Sequence, residues 1–392
     1  MTRMDVRILI STGILVLALL AAPVSAQAKK AEKPAYVFKT TLELKHTPVK
    51  DQYHTGTCWC FATVSFLESE LLRLGRGEFD LSEMFVVRQT YPKKALNYVQ
   101  MHGNAVHQQG GQAHDVIDRL REHGIVPEAV YSGMNIGQKR HNHGEMVAVL
   151  QGMVDAVLKR QGTRLTPRWL EAYDAALDAY LGKVPVEFSW GGKEYTAKTF
   201  LANALALDLD DYVELTSYDH HPFYKKCRLE IPDNWTYNSD YYNLPLAELE
   251  AAVEQALAAG YSVVWDGDVS EKDFSTRETG YALVPEKDWE DKTTVEREKK
   301  PLAPVKEKQV TQEMRTLSLR DFSTTDDHLM HIVGLAQDQT GATFYLVKNS
   351  GGTDRKYDGY LYMSLPYFRL KTTALMVNKK SLSAELRAKL GI

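Results

Sequence analysis

The sequence predicts an α+β fold, a helical half followed by a twisted antiparallel β half, and three stretches predict it. Residues 51–74, "DQYHTGTCWCFATVSFLESELLRL", repeat apolar side chains at Phe61, Ala62, Phe66, Leu67, Leu71 and Leu74. That is helical spacing with little polar interruption before Glu68, so this helix is largely buried. Residues 324–365 instead read as successive strands: "LMHIVGLA", a "DQTG" hairpin turn, "TFYLVKNS", a Gly-rich loop and "YDGYLYMSL". Between them, residues 135–205 carry two helical patterns, "GEMVAVLQGMVDAVLKRQG" and "TPRWLEAYDAALDAYLG". A hairpin around "SWGGKEYT" and a third helix from Lys198 complete that block, which reads as a helical insertion.

The remaining segments follow in chain order. "MTRMDVR" is a basic start, an apolar run extends from Ile8 to Ala22, and Pro23 leads into "VSAQA". This three-part layout predicts a signal peptide over residues 1–26 with cleavage after Ala26. The run is shorter than the roughly 20 apolar residues that span a bilayer, so no stable membrane insertion is expected after cleavage. The mature chain, residues 27–392, is expected to form a single domain in the periplasm or outside the cell. Residues 285–309, "PEKDWEDKTTVEREKKPLAPVKEKQ", are charged, carry Pro and lack an apolar period, which predicts a solvated loop. The chain ends in "SLSAELRAKLGI", a short amphipathic helix starting at a Ser cap. A net charge of −4 and a pI near 6.3 supply no field that would attract nucleic acid.

Three cysteines, Cys58, Cys60 and Cys227, are an odd number for an exported chain, and a leftover thiol there asks for a role. Gly56 and Thr57 supply a turn, so Cys58 falls at the first helical position, where free backbone N–H groups and the helix dipole favour a thiolate. Cys60 lies about 200° further round the axis and reads as packing. A cysteine nucleophile needs an oxyanion donor, a base and a group that orients the base. Gln52, six residues before Cys58, carries an amide that suits the first role. His328 and Asn349 fall near facing ends of the first predicted strand pair. Each alone would read as an ordinary loop residue, and their joint occurrence with Cys58 changes the weighing. His331 is the rival base, but an odd spacing from His328 puts it on the other strand face.

Gln, six residues, Cys-Trp-x-Phe-Ala, then His-x5-Gly far downstream and Lys-Asn-Ser-x-Gly before Gly-Tyr together resemble the papain-like cysteine peptidases. The likeness is to their bleomycin hydrolase and aminopeptidase C branch. It is carried by "DLSEMFVVRQTY" (80–91), "QQGGQAHDVIDRLREHGIVPE" (108–128), "PDNWTYNSDYYNLPLAELE" (232–250), "VTQEMRTLSLRDFSTTDDHLMHIVG" (310–334) and "YLVKNSGG" (345–352). The resemblance implies a papain-like two-layer fold with Cys58 as nucleophile, His328 as base and acid, Asn349 as its orienter and Gln52 as oxyanion donor. It implies that Gly110 and Gly111 are the paired glycines whose backbone bonds a substrate strand. It also implies peptide substrates, an aminopeptidase more than an endopeptidase, and a homo-oligomer. In that branch the chain's own tail enters the cleft to hold a substrate's amino terminus.

The chain departs from the family pattern in places. Gly351 stands where the family has a Trp that shields the His–Asn bond, with Tyr345 or Tyr360 as substitutes for that cover. The spacing from Cys58 to His328 exceeds the roughly 130–150 positions of compact papain-like enzymes, as the insert-rich branch requires. "HNH" at 141–143, with His114 and His123, fits no metal-ligand spacing, and neither metal nor cofactor is expected. The aromatic "NWTYNSDYYN" region suits either a core edge or a cleft wall. Two other readings stand beside the peptidase: a catalytically silent peptide-binding protein of the same fold, and a cysteine acyl or peptidyl transferase.

Overall fold

A computed structural model describes residues 36–160, 164–298 and 304–392. The predicted signal peptide lies outside the described residues. Strand β1 (Lys39–Glu43) leads into helix α1 (Cys58–Arg73), buried without a break from Cys58 to Leu71. A helix packed on every side must satisfy any charge it carries. Glu68 accepts from Thr47 Oγ1 at 2.5 Å and Lys50 Nζ at 3.2 Å, and Glu70 accepts from Arg73 Nε and Asn378 Nδ2, each at 2.7 Å. The helical half continues with α2 (Glu83–Gln100), α3 (Ala113–His123), α4 (Gly144–Leu158) and α5 (Arg168–Leu181). The expected hairpin is β2 (Phe188–Trp190) with β3 (Lys193–Tyr195), turned at Gly191 and Gly192, both in the left-handed region. The helix expected from Lys198 is one turn, α6 (Ala197–Thr199), which widens into a π-helical stretch over Phe200–Leu205.

The β half contains β4 (Tyr212–Thr216), β5 (Lys226–Cys227), β6 (Tyr241–Asn243), α7 (Leu246–Ala258), β7 (Val263–Gly267), β8 (Phe274–Ser275) and β9 (Tyr281–Ala282). It continues through α8 (Thr294–Glu298), α9 (Gln312–Arg320), β10 (His328–Gln337), β11 (Thr343–Lys348), β12 (Tyr360–Ser364), α10 (Leu365–Lys371), β13 (Thr372–Asn378) and α11 (Ala384–Leu390). The strands form one sheet in the order β5-β6-β4-β13-β7-β10-β11-β12-β9-β8, with β1 added to β10. Pairing is antiparallel except at β4–β6 and β9–β12. At the two ends of the expected solvated loop, Pro285 bridges to Glu307, and Lys308 pairs with Asp288 at 2.6 Å.

β10 fixes the geometry of the cleft. Its start pairs with β7 and its end with β1, both along the edge opposite β11. A Cβ on Gly334 would run into the Leu42 carbonyl, so the strand needs glycine where β1 closes in. Alternate residues face two cores. Leu329 packs with the helical half, whereas Met330 and Ile332 pack with α7, β13 and the last helix. That helix is capped as expected, Ser383 Oγ accepting from the Leu386 N–H at 3.1 Å. Leu386, Leu390 and Ile392 pack into the α7 core.

Candidate active site

The turn before α1 is held from outside. Gln109 Oε1 accepts from the Gly56 N–H at 3.0 Å, and its carbonyl accepts from Trp59 Nε1 at 3.0 Å. This places Cys58 at the first helical residue with no partner for its N–H inside the helix. The sulfur is buried and takes a hydrogen bond from the backbone of Leu329, the residue after His328, so the start of α1 meets the start of β10. Burial pushes the thiol up to about 12; the Leu329 bond opposes this, while the carboxylates of Asp233, Asp266 and Asp326 reinforce it. Cys60 points elsewhere, donating to the Glu83 carbonyl at 3.3 Å, and burial raises its thiol too. All three cysteines are unpaired.

His328 Nε2 lies 2.7 Å from Asn349 Oδ1. The Ser350 N–H also donates to that oxygen, at 2.8 Å, which identifies it as the amide carbonyl oxygen. Nε2 must then be the N–H of the ring, leaving Nδ1 with the lone pair. Burial lowers the imidazole, and the Asn349 bond and Asp327 partly restore it. With thiol raised and imidazole lowered, each group alone is neutral. Passing the proton from sulfur to Nδ1 would create two opposite charges that stabilise each other at the positive end of α1.

Gln52 is tied to the same segment. Its N–H donates to the Ser350 carbonyl at 2.9 Å, and its Oε1 accepts from Ser350 Oγ at 2.5 Å. Nε2 donates one proton to the Thr55 carbonyl at 2.8 Å, which leaves the second for another acceptor. The structure therefore links His328, Asn349, Ser350 and Gln52 by hydrogen bonds and sets the Cys58 sulfur beside Leu329, the residue after His328.

A sequence profile of the Peptidase C1-like family matches residues 187–391, just over half of the chain. The chain belongs to the Peptidase C1-like family. The papain-like resemblance and the cysteine-peptidase class read from the sequence stand at that level. Among curated relatives, aminopeptidase W of Lactobacillus delbrueckii subsp. lactis is 23% identical over 396 residues, covering 88% of this chain and 84% of the relative. Aminopeptidase G of the same organism is 24% identical over 404 residues, covering 89% and 84%. A crystal structure of PepW from Lactobacillus rhamnosis HN001 superposes with a TM-score of 0.68 at 19% identity, over 90% of this chain and 84% of that one. It shares the α+β fold.

A Cβ on Gly110 would meet the carboxylate of Asp233, and one on Gly111 would press on Asp115 and Trp59. Lys94 donates to the Gly110 carbonyl. At Gly351, the nearest atoms to an added Cβ would be Arg355 Nε at 3.7 Å and Asn349 Nδ2 at 3.8 Å. Arg355 and the Asn349 amide both border Gly351. Tyr345 instead packs on Phe368 at 5.0 Å, and Tyr360 on His46 at 5.6 Å.

His331 does lie on the other strand face, but that face looks onto α1. Its Nδ1 meets Ser65 Oγ at 2.9 Å, about 10 Å along the helix from Cys58. Depth along α1, more than strand parity, separates it from the thiol. Of the histidines considered for a metal, His114 bonds Glu214 and Thr236, His123 pairs with Glu122, and the buried rings of His141 and His143 lie edge to face at 6.0 Å. Among the described residues, His220, His221 and Glu230 form the one group with metal-ligand proximity, on the loops flanking β5. The "NWTYNSDYYN" region packs on α3: Trp235 Nε1 donates to Asp115 at 2.9 Å, and the Tyr241 hydroxyl bonds Gln112 at 3.3 Å. No helix among the described residues is long and apolar enough to cross a membrane.

Sequence reasoning missed Asp233, Asp266 and Asp326. The signal for Asp266 was available: an acid inside the apolar strand "SVVWDGD" has to be explained by a partner or a role.

Proposed function

We propose that the chain is a cysteine-type aminopeptidase that hydrolyses peptide bonds through Cys58, His328 and Asn349. The observation that carries this reading is the meeting of the two chain ends. A buried thiol at a helix start touches the backbone beside an imidazole whose other nitrogen is held by an amide at 2.7 Å. His328 Nδ1 takes the Cys58 proton as the sulfur adds to the scissile carbonyl. The oxyanion forms beside the Cys58 N–H and the unused proton of Gln52 Nε2. His328 then hands its proton to the leaving amine, and water hydrolyses the thioester. Asn349 keeps the ring in one orientation through both transfers. Gly110 and Gly111, with no side chain to obstruct a peptide, suit a wall for the substrate strand.

The names of the relatives support removal of amino-terminal residues. The test is a matched pair of peptides, one with a free amino end and one acetylated, with the products sized. The reading expects stepwise release from the free peptide and little from the blocked one. Cys58→Ala should lower turnover by about a thousandfold or more, while Cys60→Ala retains it. Internal cleavage of both peptides would make the enzyme an endopeptidase. Export belongs to the same reading, supported by the basic, apolar and small-residue order of residues 1–26. Expression in a secreting host should yield a chain starting at Gln27, and an intact amino terminus would contradict it.

A further inference from the structure

β5 is two residues long and forms one edge of the sheet, and the loops at its two ends meet. Before it, Tyr218 to His221 make a turn in which the His221 N–H donates to the Tyr218 carbonyl at 3.4 Å. Asn243 on β6 holds that turn in place. Its Oδ1 accepts from the Tyr218 N–H at 2.8 Å, and its Nδ2 donates to the carbonyls of Tyr218 at 2.8 Å and His221 at 2.9 Å. After β5, Asn234 Nδ2 donates to the Leu229 carbonyl at 2.9 Å and fixes the backbone beside Glu230. His220, His221 and Glu230 therefore stand on backbone that is set before any ligand arrives.

Neighbouring residues of an extended chain point to opposite faces, but the turn brings these two rings together, centroids 4.4 Å apart. Both rings reach Glu230 through Nε2. His220 lies 3.4 Å from Oε2, and His221 lies 3.1 Å from Oε1 and 3.0 Å from Oε2. Nδ1 of His220 is buried without a partner, so Nε2 is the nitrogen that ring offers. One ligand atom from each of the three residues lies within 4.8 Å of the other two. Arg228, two residues before Glu230, stacks on the Tyr237 ring instead.

A single carboxylate facing two imidazoles makes a poor ion pair, since both rings must be protonated to pair fully and their charges then repel. A divalent cation replaces both protons and is bound by neutral rings and an ionised carboxylate. Zinc bonds at tetrahedral angles set ligand atoms roughly 3.3–3.4 Å apart, close to the spacing here. Two nitrogens and an oxygen suit Zn²⁺ and not Mg²⁺ or Ca²⁺, which take oxygens. We propose that His220, His221 and Glu230 form a site for one Zn²⁺ or similar divalent transition ion that clasps the two ends of β5. The exposed side of the carboxylate leaves the fourth position to water. Five strand steps separate β5 from β10 in the sheet, so the site is distinct from the Cys58–His328 pair and independent of the peptidase reading.

The test is calorimetric titration of Zn²⁺ into chelator-stripped, full-length Cys58→Ala protein, a background without the reactive thiol as a competing ligand. One Zn²⁺ per chain should bind with a Kd of about 1 μM or tighter, and Mg²⁺ should not compete. His221→Ala and Glu230→Gln, each added to Cys58→Ala, should weaken binding by at least about 10- to 100-fold, the cost of losing even an outer partner of a metal ligand. Both should also lose the rise in Tm that Zn²⁺ gives the parent. His123→Ala, on α3 and outside the cluster, should change neither. Both substituted side chains are partly exposed, and should one variant fail to fold, the other reads the same loss. No binding by about 100 μM Zn²⁺, equal binding of Mg²⁺, or an affinity unchanged in either folded variant overturns the site. Any of these outcomes leaves only hydrogen bonds between two imidazoles and a carboxylate.

Discussion

Two buried charge clusters near α1 contrast in how they are closed. Beside the middle of the helix, Lys50 Nζ contacts Glu68 at 3.2 Å, Glu83 at 2.8 Å, Asp80 at 2.7 Å and the Leu81 carbonyl at 3.1 Å. Glu68 takes further bonds from Thr47 and the Leu81 N–H. At the helix start, Asp233, Asp266 and Asp326 gather with Lys94 beside Asp233, and burial raises the hold of all three on a proton. The chain closes the first cluster with its own lysine and leaves the second open, its acids holding protons instead.

Breaking the closed cluster should have the largest effect. Lys50→Met strands buried carboxylates and should cost about 3–5 kcal/mol in urea unfolding, the range for removing one partner of a buried pair. A loss within a few tenths of a kcal/mol would make the two clusters alike. Neutralising the open cluster should work in the opposite direction. Burial raises the Asp266 carboxyl from 3.8 to about 7, so between those pH values the folded chain keeps a proton that the unfolded chain has lost. Stability from this group is present below that window and declines as pH rises through it. Asp266→Asn should flatten the decline in a Tm-versus-pH series, and a variant that loses Tm across the range would contradict the contrast.

The smallest expected effect sharpens the comparison most. Asp326 contributes to the rise of the Cys58 thiol, behind burial and alongside Asp233 and Asp266. Asp326→Asn should therefore shift the pH midpoint for iodoacetamide labelling of Cys58 downward. An unchanged midpoint would place Asp326 out of electrostatic reach of the sulfur.

The parts legible in the sequence were those with local grammar. The helix from Cys58, the Ser383 cap, the "DQTG" turn and the insertion's helices follow from spacing and capping, and the structure contains each. Cys58, Gln52, His328 and Asn349 could be named because each sits in a patterned stretch. Asp233, Asp266 and Asp326 could not, because they come from a loop, a strand and a strand entry with no shared spacing. Only the register of β7 against β10, and the approach of Asp233 to Gly110, brings them together. The neighbour of Gly351 was hidden for the same reason: Arg355 comes back to Gly351 through a loop whose path no periodicity encodes. The tail's docking on α7 likewise depends on tertiary packing.

The central claim is that Cys58 reacts because His328 takes its proton. Its most direct measurement is the rate of Cys58 labelling by a peptidyl chloromethyl ketone across pH in the wild type and in His328→Ala, with the labelled residue located by mass spectrometry. The account predicts labelling at Cys58 alone, slowed about a hundredfold or more in His328→Ala at neutral pH, the scale of a lost general base. Equal rates in the two proteins, or label carried on Cys60, would contradict it.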